Sequence, residues 1–178
     1  ESFWTPLWDL TNSWGWKDST WYESDFQTSD HVLFDGTTTV DTTNVVLVGM
    51  LVPGSVTMTA SSAYQYTFSG NGKISGGTGL SKQGGATLFL NTTNDYIGAT
   101  MIDGGLVKIG NNQALGSQLA GTWINDGATL DLMGAAGIFE SIAVQGAGVN
   151  GLGAIVNTGT PIVNEGLRSN VTFSGNVT

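Results

Sequence analysis

From Thr37 to the end of the chain, short runs of alternating apolar and polar residues are separated by turns rich in Gly, Asn, Asp and Ser. A period of two puts neighbouring side chains on opposite faces of an extended backbone, so each run predicts a strand with one buried face. The runs are 38–41, 44–51, 55–59, 64–68, 87–90, 99–102, 106–109, 122–124, 129–132, 142–144, 154–156 and 171–173. Gly70-Asn71-Gly72, Gly76-Gly77, Gly84-Gly85, Gly104-Gly105, Asp126-Gly127 and Gly146-Ala147-Gly148 punctuate them. These residues accept the positive φ of tight turns. No segment carries the period of an amphipathic helix, and only 134–140 leaves room for a single helical turn.

The strands repeat. Gly85-Ala86-Thr87-Leu88-Phe89-Leu90 recurs 42 positions later as Gly127-Ala128-Thr129-Leu130-Asp131-Leu132. Between them, Gly105-Leu106-Val107-Lys108-Ile109-Gly110 lies 20 positions after the first and 22 before the last. A period near 21 matches one coil of a parallel β-helix, with two or three short strands joined by turns. One coil cannot bury its own inward face. Stacking coils at about 4.8 Å closes the backbone ladder and makes a continuous apolar column. Asn91, Asn111 and Asn112 follow strands of the repeat, where asparagine tolerates left-handed turn geometry and can stack its amide on that of the next coil.

Residues 1–36 have another texture. They hold five of the six tryptophans, Trp4, Trp8, Trp14, Trp16 and Trp21, among aspartates and serines. The chain therefore divides into an aromatic, acidic N-terminal cap or docking segment, 1–36, and a solenoid, 37–178. The tryptophans have three readings: covering the open end of the solenoid, docking onto a neighbouring subunit, or stacking on sugar rings. The C-terminal run from Asn170 to Thr178 still alternates as a strand does, so its last coil is expected either to continue or to be covered by another molecule. An aromatic start meeting an uncapped finish is what a subunit of an open filament requires.

Composition narrows the picture. Charged residues are 11% of the chain, against about 25% in ordinary soluble domains, so solubility rests on hydroxyls and amides. The net charge of −9 sits mainly in residues 1–41, which carry eight acids and one base, Lys17. With no basic stripe, nucleic acid is not an expected partner. Absence of cysteine removes disulfides and thiolate metal sites. No apolar stretch reaches the length of a membrane-spanning helix.

Residues 68–117 carry an ordered set of motifs: Gly79-Leu80-Ser81-Lys82-Gln83-Gly84, then Ala86-Thr87-Leu88-Phe89-Leu90, then Asn94-Asp95-Tyr96-Ile97-Gly98-Ala99-Thr100-Met101-Ile102. Asp103-Gly104-Gly105-Leu106-Val107-Lys108-Ile109-Gly110 and Gln113-Ala114-Leu115-Gly116-Ser117 complete it. This order resembles the autotransporter-associated β-strand repeat of secreted bacterial β-helix passenger-like proteins. The resemblance implies a right-handed parallel β-helix exported to the cell surface or beyond by bacterial-type secretion, and no particular catalysis. The chain departs from such proteins in lacking the alternating strands of an outer-membrane barrel.

Candidate chemistry is sparse. His31 has only Asp30 nearby in sequence and makes a poor triad. The solenoid's acids are Asp95, Asp103, Asp126, Asp131, Glu140 and Glu165, with Arg168 the sole arginine. Asp131 alternates with Leu130 and Leu132 and is expected to face out. Asp103 and Asp126 are expected one rung apart at corresponding turns, where two carboxylates repel unless a cation screens them. The N-terminal acids Asp18, Glu23, Asp25 and Asp30 lack the spacing of a calcium loop. Asn91, Asn170 and Asn176 fit the glycosylation pattern Asn-x-Ser/Thr. No catalytic residue, cofactor or metal is expected. The expected function is an extracellular structural β-solenoid, as the passenger of a surface protein or a self-assembling fibre subunit that associates end to end. A glycan-binding adhesin module is the alternative, and a polysaccharide-active enzyme a more distant one.

Overall fold

The computed structural model describes residues 7–8, 26–36, 44–160 and 171–174. Its strands are β1 (Leu7–Trp8), β2 (His31–Phe34), β3 (Asn44–Leu47), β4 (Met50–Leu51), β5 (Ser55–Met58), β6 (Gln65–Gly70), β7 (Lys73–Ile74) and β8 (Leu80–Lys82). They continue as β9 (Thr87–Leu90), β10 (Thr100–Ile102), β11 (Gly105–Ile109), β12 (Thr122–Ile124), β13 (Ala128–Asp131), β14 (Ile142–Gln145), β15 (Ile155–Val156) and β16 (Val171–Ser174).

Among the described residues, every pairing between strands is parallel. One seven-stranded sheet has the order β1-β3-β6-β9-β11-β13-β15, and a second the order β2-β5-β8-β10-β12-β14-β16. From β2 to β15 the paired strands lie 19–25 residues apart in sequence, about one coil, as in a solenoid of about five turns. The strands β4 and β7 form a third, narrower face. Backbone hydrogen bonds extend that face: Asp95 N–H donates to Ile74 O (3.1 Å), and Asn94 N–H donates to Gln113 O (2.9 Å).

The interior is made of columns, one residue per coil. Tyr66, Leu88, Val107 and Leu130 are rung partners in the first sheet, and all are buried. Phe34, Met58, Lys82, Ile102, Ile124 and Val144 form such a column in the second. Burial of each large aliphatic side chain contributes about 1.5–3 kcal/mol, and the ladder satisfies the backbone that this burial dehydrates.

The expected parallel β-helix is therefore present, with differences of detail. The run 44–51 is cut at Gly49, which takes φ 73° and turns the chain from β3 onto the third face as β4. Strands β1, β2, β7 and β8 have no counterpart among the predicted runs. The region 134–140 contains no helix, and the single helical turn among the described residues is a 3-10 turn at Val149–Gly151. The run 38–41 lies outside the described residues. The coil spacing also differs. Leu88 pairs with Val107 and Val107 with Leu130, steps of 19 and 23 residues in place of 20 and 22. The turn between β10 and β11 is one residue shorter than that between β8 and β9, and Gly105 sits at the slip. It occupies the rung of Ala128 with φ 67°, and a Cβ there would lie 2.6 Å from Ala86 O.

Candidate functional site

The third face opens where its ladder ends. Residues 113–117 still pair with 94–96, through Asn94 N–H to Gln113 O and Ser117 N–H to Tyr96 O (both 2.9 Å). The turn-rich excursion 110–121 and the next coil's 139–140 then border a groove of about 600 Å³. Residues from three coils border it, among them Lys73, Asp95 and Glu140.

Glu140 is the unusual group. Alternation along Ile138, Glu140 and Ile142 puts all three on the inward side, and they are 2%, 5% and 1% exposed. Thr122 Oγ1 donates to Glu140 Oε1 (3.0 Å), whereas the buried Oε2 has no hydrogen-bond partner. Burial raises the carboxyl from 4.5 to about 8, against the opposing hydrogen bond from Thr122. At neutral pH this is a neutral acid with a hydroxyl to donate.

A hydroxyl chain lies on the next rung. Thr100 pairs with Thr122. Thr100 Oγ1 donates to Leu115 O (3.0 Å) and lies 2.7 Å from Tyr96 Oη, so the Tyr96 hydroxyl is the donor in that contact. Burial, with an added contribution from Glu140, raises the Tyr96 pKa despite the Thr100 hydrogen bond. At the border of the groove, Lys73 Nζ pairs with Asp95 Oδ2 at 2.5 Å, and Ser75 Oγ donates to Asp95 Oδ1. Burial of Asp95 opposes its ionisation, but the Lys73 and Ser75 hydrogen bonds outweigh it and lower the pKa.

Two other charged groups are structural. Lys82 is 0% exposed, and its ammonium donates to Gln83 O (2.8 Å), Gly84 O (2.8 Å) and Gly104 O (2.9 Å). It ties two turns together from inside the column, and burial draws its pKa down to about 8. Asp131 lies on the outward pleat, as expected, yet it is 1% exposed. The segment around Thr158 covers it. Asp131 accepts from Thr158 Oγ1 (2.6 Å), Thr158 N–H (3.0 Å) and Met133 N–H (3.0 Å), and pairs with Lys108 (3.0 Å). Burial opposes its ionisation, but these donors win and hold it at about 2.

The expected sites fare unevenly. Trp4, Trp14, Trp16, Trp21, Asn170 and Asn176 lie outside the described residues, as do Arg168 and Glu165. Trp8 falls in β1, where it pairs with Leu47. Asn91 is exposed after β9. Asn111 Nδ2 donates to the Asn91 backbone carbonyl (3.3 Å), so these asparagines join through backbone and not amide to amide. His31 is exposed on β2 with Nδ1 2.8 Å from Ser55 Oγ, and Asp30 instead accepts from Gln27 N–H (2.8 Å). Asp103 and Asp126 are not rung partners. The register places Asn125 beside Asp103, and its Nδ2 donates to Asp103 Oδ1 at 2.5 Å. An amide thus stands where a second carboxylate was expected. Among the described residues no group of three His, Asp or Glu side chains is arranged to hold a metal, and no helix is long and apolar enough to cross a membrane.

No protein-family model, no curated protein and no solved structure matches this chain. The resemblance of residues 68–117 to the autotransporter-associated repeat thus rests on the motifs themselves.

Proposed function

We propose that this chain is an extracellular structural β-solenoid, a stiff rod that serves as the passenger of a surface protein or the subunit of a fibre. The observation that carries the reading is the pair of seven-stranded parallel ladders closed over continuous apolar columns. At about 4.8 Å per rung, seven strands extend roughly 29 Å along the axis, with hydrogen bonds aligned along that direction. Right-handed winding is favoured by strand twist. A chain with only 11% charged residues suits a protein that works packed against copies of itself or displayed outside a cell. The ordered motifs of 68–117 support export by bacterial-type secretion. Parallel ladders have two unlike ends, so copies that add rung to rung grow as open filaments.

Electron microscopy of native material from the source cells, with intact mass, tests this reading. Filaments or surface projections of solenoid width are expected. Dispersed globular particles confined to the cell interior would overturn it.

A further inference from the structure

The chain contains two Asn-Gly pairs, Asn71-Gly72 and Asn150-Gly151. In such a pair the glycine amide nitrogen can reach the asparagine side-chain carbon, because glycine has no Cβ to obstruct the approach. Both asparagines are exposed, yet the solenoid holds the two pairs differently.

Gly72 is built into the stack. Its N–H donates across coils to Leu47 O (2.9 Å), and a Cβ on it would lie 2.5 Å from both Leu47 C and Val48 N. Rotating that peptide would break a ladder bond and drive it against the backbone of the preceding coil. Gly151 stands in the 3-10 turn before β15, where Asn150 has φ 52° and ψ 25° and Gly151 has φ 72°. Its N–H donates within the turn, to Gly148 O (3.2 Å), and a Cβ on it would meet nothing within 4 Å. The neighbouring Leu152 is 80% exposed. Turning the Asn150 peptide away from its present ψ therefore breaks one local bond and moves the chain into open space.

We propose that Asn150 is a site of spontaneous deamidation in the folded chain, and that the ladder protects Asn71. Gly151 N attacks Asn150 Cγ. The N–Cγ bond forms, Cγ–Nδ2 breaks, and Nδ2 leaves as ammonia with the Gly151 proton. The cyclic succinimide then takes up water. Opening at Cγ leaves aspartate at position 150. Opening at the main-chain carbonyl leaves isoaspartate, whose main chain runs through the former side chain and is one carbon longer. Water enters and ammonia leaves, with no change of oxidation state.

The longer form acts on the next rung. Thr129 Oγ1 accepts from Val149 N–H and donates to Gly153 O (both 2.8 Å), so it spans the two ends of this turn. Beyond it, Leu130 N–H and Leu132 N–H donate to Ala154 O and Val156 O (both 2.9 Å). An added backbone carbon between Val149 and Gly153 offsets the span that Thr129 bridges and loosens the β13–β15 pairing. Aspartate adds charge without length and leaves the span intact.

Peptide mapping by mass spectrometry tests the site, on the full native chain aged in mildly alkaline buffer and on the same chain in urea. In the native chain Asn150 is expected to convert at least about tenfold faster than Asn71, the factor that ~1.4 kcal/mol of extra opening free energy supplies. In urea the advantage is expected to vanish, since Gly72 is freed and the β-branched Val149 crowds Asn150. Hydrogen exchange at the Leu130 and Leu132 amides is expected to quicken by about tenfold in the isoaspartyl fraction and to stay unchanged in Asn150→Asp. An intact Asn150 in the aged native chain, conversion of Asn71 at an equal or greater rate there, or the same ratio in urea would overturn the site. Unchanged exchange in the isoaspartyl fraction, or equal quickening in Asn150→Asp, would overturn its effect on the rung.

Discussion

Replacing Glu140 by Gln isolates the cost of keeping an acid inside the solenoid. In the unfolded chain this carboxyl ionises at its ordinary 4.5, and in the folded chain at about 8. Between these values the unfolded state binds fewer protons, so stability falls as pH rises. The favourable contribution is complete below 4.5 and is lost as pH rises to about 8. The slope is at most about 1.4 kcal/mol per pH unit, which accumulates to roughly 3 kcal/mol at pH 7. The Gln side chain keeps an oxygen to accept from Thr122 and does not titrate. The variant should therefore match the wild type near pH 4.5 and exceed it at pH 7 by up to that roughly 3 kcal/mol. The window from about pH 5 to 7.5 suits the measurement. Asp131 and Asp95 respond below the ordinary carboxylate range, and Lys82 responds above about 8. Urea unfolding followed by tryptophan fluorescence at pH 5, 6 and 7 gives the difference directly. A wild-type-minus-variant difference that does not change with pH would mean that Glu140 is solvated and ionised, and would refute the reasoning.

Asp131→Ala removes an acceptor used by three hydrogen bonds and by Lys108, with an expected loss of about 2–4 kcal/mol by denaturant titration. In the wild type, the Asp131 contribution is present above 3.8 and is lost as pH falls through about 2, a fall that the variant should lack. Lys82→Met preserves the column between Met58 and Ile102 but leaves three turn carbonyls without their donor, and should lower stability by about 1–3 kcal/mol in thermal unfolding. Above about pH 8 the folded Lys82 has released a proton that the unfolded chain keeps up to 10.5, so the wild type should gain stability with rising pH relative to the Lys82→Met variant.

Most of the coil was legible because strand and turn leave direct traces. Short alternating runs bounded by turn residues located β9 and β12 to the residue, and the 42-position echo spans the two coils from Leu88 to Leu130. The midpoint slipped because the turn before β11 is one residue shorter than a glycine-to-glycine alignment assumes. With a period of two, that single position exchanges inward and outward faces. Strand β8 was hidden by its lysine, which reads as a turn residue but shares parity with buried Leu80. Glu140 was hidden the same way between Ile138 and Ile142. A charged residue in the inward phase of an apolar alternation was the signal that could have found both. The burial of Asp131 left no such trace, since the covering Thr158 lies 27 residues away.

The stacking register decides where Glu140, Lys82 and Asp131 lie, and it can be measured directly. The chain has no cysteine, so two introduced thiols are the only ones present. Thr87 and Leu106 are rung partners on the outward pleat, and Val107 lies one position on in the interior. Parallel neighbours about 4.8 Å apart fall within the Cα range of a disulfide. Thr87→Cys with Leu106→Cys should therefore oxidise to an intramolecular disulfide, seen by intact mass and thiol counting, while Thr87→Cys with Val107→Cys should not. A disulfide in the second pair and none in the first would contradict the stacked coil.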